Sequence, residues 1–156
     1  MITSASAPEI RKAEWQELPQ VLSLCRAFYE EMDWKETTFE PDVMLAHLTT
    51  LVSDDRHNLL VVVDASKIVG AVGIQVAPVL WSTDLVATEL FWYMDKAYRG
   101  RLCAMRLFKA AEAWSRQAGA KVMLMGMLST SPPHVRVMYE REGYRYSQSS
   151  YIRTLN

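Results

Sequence analysis

The chain has 156 residues, half of them hydrophobic and five of them Trp, enough for one sizeable core, and a single domain over residues 1–156 is expected. Seventeen Lys and Arg against 18 Asp and Glu leave a formal charge of −1, which excludes the basic surface that general nucleic-acid binding requires. No apolar stretch reaches the ~18–20 residues of a membrane span, so no membrane partner is expected.

In chain order, Met1 to Pro8 is small and polar and reads as a loose end. Ile10 to Ala13 predicts a short strand. From Trp15 onward, Leu18, Val21, Leu22, Cys25, Phe28 and Met32 recur at helical spacing, with Pro19 tolerable only in the first turn. Glu30 to Glu40 is a connector carrying Glu30, Glu31, Asp33, Glu36 and Glu40, with Trp34 and Phe39 among them. It reads either as a solvated acidic loop or as a lid that attracts a cation and lays an aromatic ring over it. Pro41 opens a second helix with Met44, Leu45, Leu48 and Val52 on one face. Asn58 to Asp64 predicts a buried strand from its β-branched content, and Asp64 to Lys67 a turn. Ile68 to Val79 predicts a longer strand in which Gly70 and Gly73 mark bulges or close approaches.

Glu89 to Met94 is apolar on both faces: Leu90, Trp92 and Met94 point one way, Phe91 and Tyr93 the other. This predicts a strand covered on both sides. After an arginine-bearing turn, Cys103, Leu107, Ala110, Ala111, Trp114 and Ala118 recur at helical spacing, and Gly119 is placed to stop that helix. Lys121 to Leu128 predicts another buried strand, its methionines core residues. Ser131 predicts the N-cap of a last helix with a proline at its first position, running to Glu142 and stopped by Gly143. Tyr144 to Tyr146 and Ser149 to Leu155 predict closing strands. Antiparallel strands followed by crossover units predict a mixed sheet with helices on its faces, an α/β or α+β sandwich.

The central helix starts with a local conflict. Arg99 and Arg101 stand at its beginning and Arg106 follows within two turns, with no acidic residue between Arg99 and Lys109. A helix N-terminus carries partial positive charge, so each cation there is unfavourable by roughly 0.3–1 kcal/mol. An anion on the free N–H groups removes the conflict, and phosphate is the usual one. Arginines turned into water explain the same residues at little cost. Elsewhere, Cys25 and Cys103 fall on apolar helix faces and read as reduced core residues. Three scattered His, without His-x-x-x-His or Cys-x-x-Cys spacing, predict no metal. No basic segment followed by an apolar run opens the chain, so a cytoplasmic protein is expected.

Over essentially the whole chain, this order of elements resembles the GCN5-related N-acetyltransferase (GNAT) superfamily. The strand Thr88 to Asp95 running into Tyr98-Arg-Gly-Arg-Leu-Cys-Ala104 is similar to the family's acyl-CoA pyrophosphate loop, Gln/Arg-x-x-Gly-x-Gly/Ala. Met138-Tyr-Glu-Arg-Glu-Gly-Tyr144 resembles its helix-ending Phe/Leu-Tyr-x-x-x-Gly-Phe, and Tyr151 to Leu155 resembles its closing strand. The resemblance implies a GNAT-like, mostly antiparallel mixed sheet of six to seven strands, about four flanking helices and a splayed central strand pair. Two positions depart. Leu102 stands where the loop usually carries glycine, adding bulk where a phosphate approaches. Pro132 stands where the family often has an asparagine.

The resemblance implies an N-acetyltransferase that moves an acetyl group from acetyl-CoA, its cosubstrate, to a primary amine of a small molecule or peptide by direct attack on the thioester. The backbone of Trp92, Tyr93 and Met94 would bond the pantetheine arm. The loop Arg99, Gly100, Arg101, Leu102, Cys103 and Ala104 would hold the pyrophosphate through N–H groups and the two arginines. Tyr139 matches the tyrosine that protonates the departing thiolate. Glu89, the one acid in an apolar strand run, is the candidate base, and a glutamate paired with a cation at the strand's wet end is its structural alternative. His134 is a further base or acceptor contact, and Cys103 a nucleophile only if it faces away from the sheet. The acidic connector leans towards a cationic acceptor. Leu102 keeps a different class of reading open, a non-catalytic acyl-CoA-binding or protein-interaction domain. Trp81 and the C-terminal tyrosines offer apolar surface for a homodimer.

Overall fold

A computed structural model describes residues 7–155; the loose end expected over Met1 to Pro8 lies, for its first six residues, outside the described residues. Among the described residues, one sheet has the strands β1 Glu9–Lys12, β2 His57–Asp64, β3 Lys67–Pro78, β4 Leu85–Met94 and β5 Val122–Leu124, in that spatial order. The first four are antiparallel neighbours, while β5 returns through a helix and lies parallel to β4. The helices are α1 Leu18–Glu31, α2 Pro41–Ser53, α3 Leu102–Gln117 and α4 Pro133–Arg141. Pro19 falls in the first turn of α1, as predicted, and Gly119 follows α3 with φ +86°.

Each helix is placed by its apolar stripe. Val21, Leu24 and Cys25 of α1 and Leu48 and Leu51 of α2 pack with Leu59, Val61, Phe91 and Tyr93 on one face of the sheet. Cys103, Leu107 and Ala111 of α3 pack with Val62, Val72, Ile74 and Met94 on the other. Both thiols are buried and unpaired, and burial pushes that of Cys25 up to about 12.

The strand β4 is covered on both faces from Phe91 to Met94, as its pattern predicts. Leu90 departs from the pattern and is 48% exposed. Gly73 pairs with Phe91 and Ile74 with Glu89, so Leu90 is an extra residue in β4, a bulge. The bulge turns Glu89 to the α3 side, opposite Ile74. Unbroken alternation would have put it on the face of Phe91, against α1 and α2.

Three expectations are corrected. The sheet has five strands among the described residues, not six or seven, because Tyr144–Tyr146 and Ser149–Leu155 pair with nothing. No backbone hydrogen bond joins residues 145–155 to the sheet, and β-propensity makes a strand only where an edge receives it. The strand β5 is shorter than Lys121–Leu128 and half open, because the chain turns off the ladder after Leu124. Ser131 does not cap α4. Pro132 occupies the N-cap and Pro133 the first helical position, while Ser131 Oγ accepts the Leu128 N–H at 3.0 Å.

Gly73 is a close-approach point, as predicted: a Cβ there would stand 2.7 Å from Phe91 and 2.9 Å from Leu51. Gly73→Ala is therefore expected to overpack the face under α2 and lower stability by about 1–3 kcal/mol, read as a lower urea midpoint at unchanged slope.

Candidate active site

The pairing of β4 with β5 ends at Thr88 and Leu124, yet β4 continues to Met94. Beyond that fork the strand has no partner on its outer side among the described residues. Glu89 is the first residue past the fork. Its Oε2 accepts the Gly126 N–H at 2.7 Å, and the Tyr139 hydroxyl donates to the Gly126 carbonyl at 2.8 Å. Two residues far apart in sequence, the candidate base and the candidate acid, thus meet at one residue, on the N–H and the C=O of Gly126. A Cβ at Gly126 would lie 3.1 Å from Glu89 Oε2, so the approach is available to glycine. Sequence reasoning missed Gly126; its one signal is a lone glycine inside an apolar strand pattern.

The electrostatics follow from the packing. Glu89 is half-buried, and desolvation raises its carboxyl to about 7 against the opposing pull of the Gly126 N–H. The Tyr139 phenol is raised first by burial, then by the charge of Glu89 and by Tyr144, so it keeps its proton. An aromatic cluster fixes its ring: Phe108 lies 6.1 Å and Tyr144 5.6 Å away, and Phe108 stacks on Trp92 at 5.7 Å. Tyr144 donates to Glu112 at 3.1 Å.

At the far end of β4 the chain passes through Gly100, at φ +74°, into α3, whose N-cap is Arg101. The Leu102 and Cys103 N–H groups have no acceptor among the described residues, as the first donors of a helix require, while the Ala104 N–H reaches Arg101 O at 3.1 Å. Leu102 is 75% exposed, and its side chain does not fill the loop. Arg101 lies 4.8 Å over the Tyr98 ring and makes no ion pair among the described residues. Arg99 is engaged: it donates to Glu31 Oε2 at 2.8 Å and, through Nε, to Met94 O at 2.9 Å. Tyr93 also donates to Glu31, at 2.7 Å. Burial opposes the ionisation of Glu31, but its bonds to Tyr93 and Arg99 and the nearby Lys96 outweigh that and lower its carboxyl. Arg106 donates to Pro8 O at 3.0 Å.

The remaining candidates separate. Cys103 is buried against the sheet, where a nucleophile has no access. His134 is exposed in the first turn of α4 and is not joined to the fork. In the connector, Phe39 packs on the core under Arg26 instead of forming a lid, while Asp33 accepts from Ser129 on the loop that carries Gly126. No three His, Cys, Asp or Glu side chains converge among the described residues. No helix of the described residues is long and apolar enough to cross a membrane.

A doubly covered sheet forked at its fourth strand, with a helix N-terminus at the end of the open strand, is a class of acyl-transfer fold. Residues 10–144 match the acetyltransferase (GNAT) family, and the chain belongs to that family and to the N-acetyltransferase class of enzymes. Among curated proteins none matches this chain. Solved structures share its fold at low identity. A transcriptional regulator from Bacillus halodurans C-125 is 20% identical, with 94% of this chain and 98% of that one covered and a TM-score of 0.75. A ribosomal-protein-alanine N-acetyltransferase from Brucella melitensis biovar Abortus 2308 is 16% identical, covering 92% and 97%, with a TM-score of 0.70. AAC(6')-Iy, in complex with the bisubstrate analogue CoA-S-monomethyl-acetylneamine, is 16% identical, covering 95% and 97%, with a TM-score of 0.75.

The raised carboxyl of Glu89 has a stability signature. The folded chain holds a proton there up to about 7, the unfolded chain only to its ordinary 4.5, so between those values the native state binds more protons. Stability contributed by this group is therefore full below the lower value, falls as pH rises through the window, and levels off above it. Glu89→Gln is expected to remove that slope in urea melts taken across the window.

Proposed function

We propose that this enzyme transfers the acetyl group of acetyl-CoA to a primary amine, with Glu89 as the base and Tyr139 as the acid. The observation that carries this reading is the convergence of both side chains on the backbone of Gly126 at the fork. Bound acetyl-CoA supplies the thioester that the amine attacks. The residues present fit that cosubstrate: open N–H groups at Leu102 and Cys103 suit a diphosphate, and the unpaired outer edge of β4 suits an extended amide-bearing arm. Of the loop residues, the Leu102 and Cys103 N–H groups and the Arg101 side chain would hold the phosphates, while the Arg101 and Ala104 N–H groups are engaged with Tyr98 O and Arg101 O. Gly100 sets the turn, and Arg99 acts through its grip on Glu31 and Met94 O. The backbone of Trp92 and Tyr93 would line the arm, with Met94 O already committed to Arg99.

The chain's own chemistry then needs two proton movements. An ammonium acceptor cannot attack, and Glu89, poised near 7, takes its proton directly or through a water while remaining substantially ionised at neutral pH. Tyr139 Oη holds a proton that it can give to a departing thiolate, and the Phe108–Tyr144 cluster keeps that hydroxyl pointed at the fork. The acceptor entrance is bounded by the connector between α1 and α2. There Glu30, Asp33, Glu36 and Glu40 are exposed and make no ion pair among the described residues, so a cationic amine, small or on a peptide, fits best.

Free-thiol release from acetyl-CoA with a panel of amines tests the reading. Tyr139→Phe is expected to lower kcat about 10²-fold with little change in coenzyme binding. Glu89→Gln is expected to abolish the rise of kcat/KM through pH 7. Coenzyme binding without turnover on any amine, in a folded wild-type protein, would overturn it. Because Leu102 points outward, Leu102→Gly is expected to leave coenzyme affinity nearly unchanged, whereas Arg101→Ala weakens it more than Arg99→Ala, as read by calorimetry.

A further inference from the structure

The helix that carries Tyr139 is weakly anchored. None of the nine residues of α4 is fully buried, and a helix of that length is marginal on its own hydrogen bonds. Its sequence adds a conflict at the far end. Glu142 is the C-cap residue, where the helix already carries partial negative charge and an acid is unfavourable. A group outside the helix answers it. The Lys109 ammonium on α3 pairs with Glu142, and among the described residues this is the one ion pair that ties α4 or its C-cap to another element. The same ammonium meets the other supports of Tyr139. It donates to Glu112 Oε2 at 3.2 Å, and Glu112 Oε1 accepts the Tyr144 hydroxyl at 3.1 Å. It also stands 5.5 Å over the ring of Phe108. Phe108 and Tyr144 are the two rings packed on Tyr139, at 6.1 and 5.6 Å. The seam between α3 and α4 therefore converges on a single cation.

We infer that Lys109 is a positioning residue for the reaction: by holding Glu142 and Glu112 together it sets α4 against α3 and keeps the Tyr139 hydroxyl on the Gly126 carbonyl. Its effect on rate rests on Tyr139 being the acid; its effect on α4 does not. The carboxylates are the less exposed partners, with the Glu112 side chain 12% and the Glu142 side chain 25% exposed against 48% for Lys109. Without the cation, two like charges partly withdrawn from water would face each other across the seam and push it open. Tyr139 and Glu142 are three residues apart on one side of the helix, so a shift of the cap is passed to the phenol. The bond to Glu142 above all, aided by Glu112 and opposed by desolvation, raises the Lys109 ammonium, which therefore stays charged at neutral pH and moves no proton. Its place is on the far side of Phe108 and Tyr144 from the reacting atoms, and it acts only through them and through α4.

Lys109→Met keeps the stem on Phe108 and removes the charge. It is expected to lower kcat about 10- to 100-fold while the KM for acetyl-CoA stays within about twofold. Lys109→Arg is expected to hold kcat within about threefold of wild type, because a guanidinium also serves two carboxylates. Adding Glu142→Gln to Lys109→Met is expected to return most of the lost rate, since the repulsion is then gone and the two changes are not additive. Hydrogen exchange reads the same event without the reaction. The amides of residues 137–141 are expected to exchange about tenfold faster in Lys109→Met than in wild type, and less than that in Glu142→Gln alone. An unchanged kcat in folded Lys109→Met, a loss that arginine does not repair, or unaltered exchange in α4 each overturns the inference. If Lys109→Met does not fold, exchange in Glu142→Gln decides, and wild-type protection of α4 there rejects the tie. Tyr139→Phe separates the two readings. A slow Tyr139→Phe beside a fast Lys109→Met sinks the positioning role and leaves the acid standing. A Tyr139→Phe at full rate sinks the acid assignment and, with it, the role of Lys109 in the rate.

Discussion

One residue, Gly126, satisfies through its two flanking peptide groups both a carboxyl and a phenol that water does not reach well. The Gly126 N–H answers Glu89 and its C=O answers Tyr139. A carboxyl withdrawn from water without such a donor costs more than the bond it lacks, so the cluster exists only because the Gly126 backbone is free. It is free because β5 leaves β4 after Leu124. Had the ladder run on, the same N–H and C=O would have been committed to strand pairing, and neither side chain would have found them.

The Leu90 bulge is the second condition. A strand buried on both faces has a rigid two-residue alternation, and its sequence leaves Glu89 on the wrong side for Tyr139. One extra residue opposite the Gly73–Ile74 step reverses the alternation, sending Glu89 towards α3 and α4 while Phe91 and Tyr93 stay under α1 and α2. Gly73 makes the slip compatible with packing, because Phe91 lies where its Cβ would be.

The arginines at the start of α3 resolve their conflict unequally. Arg99 is neutralised inside the protein by Glu31, which also takes Tyr93, so this cation ties the end of β4 to the end of α1. Arg106 turns away to a carbonyl at Pro8. Of the three, Arg101 alone makes neither an ion pair nor a side-chain hydrogen bond among the described residues, beside the two helix donors of Leu102 and Cys103. The positive end of the helix is thus left open at one cation and two N–H groups, a more local feature than three arginines in sequence suggest, and it lies at the opposite end of the open strand from Gly126. Between them the bare edge of β4 joins the open start of α3 to the cluster of Glu89, Gly126 and Tyr139.

The amphipathic periods of α1, α2 and α3, the β-branched runs of β2 and β3 and the glycine after α3 were readable from the chain because they are local: a 3.6-residue or two-residue repeat states which face is dry whatever lies opposite. Glu89 and the loop from Arg99 to Ala104 were readable as residues, since an acid in an apolar strand and cations at a helix start are visible anomalies, whereas Tyr139 came only from the resemblance of Met138 to Tyr144 to a family motif. What no local pattern holds is the partner. The bulge at Leu90 depends on β3, the shortness of β5 on where the fork opens, the occupation of Arg99 on a glutamate at the end of another helix, and the missing strands after Tyr144 on whether an edge is there to receive them. Tertiary structure decided these because a hydrogen bond or a salt bridge needs two ends, and sequence displays each end alone.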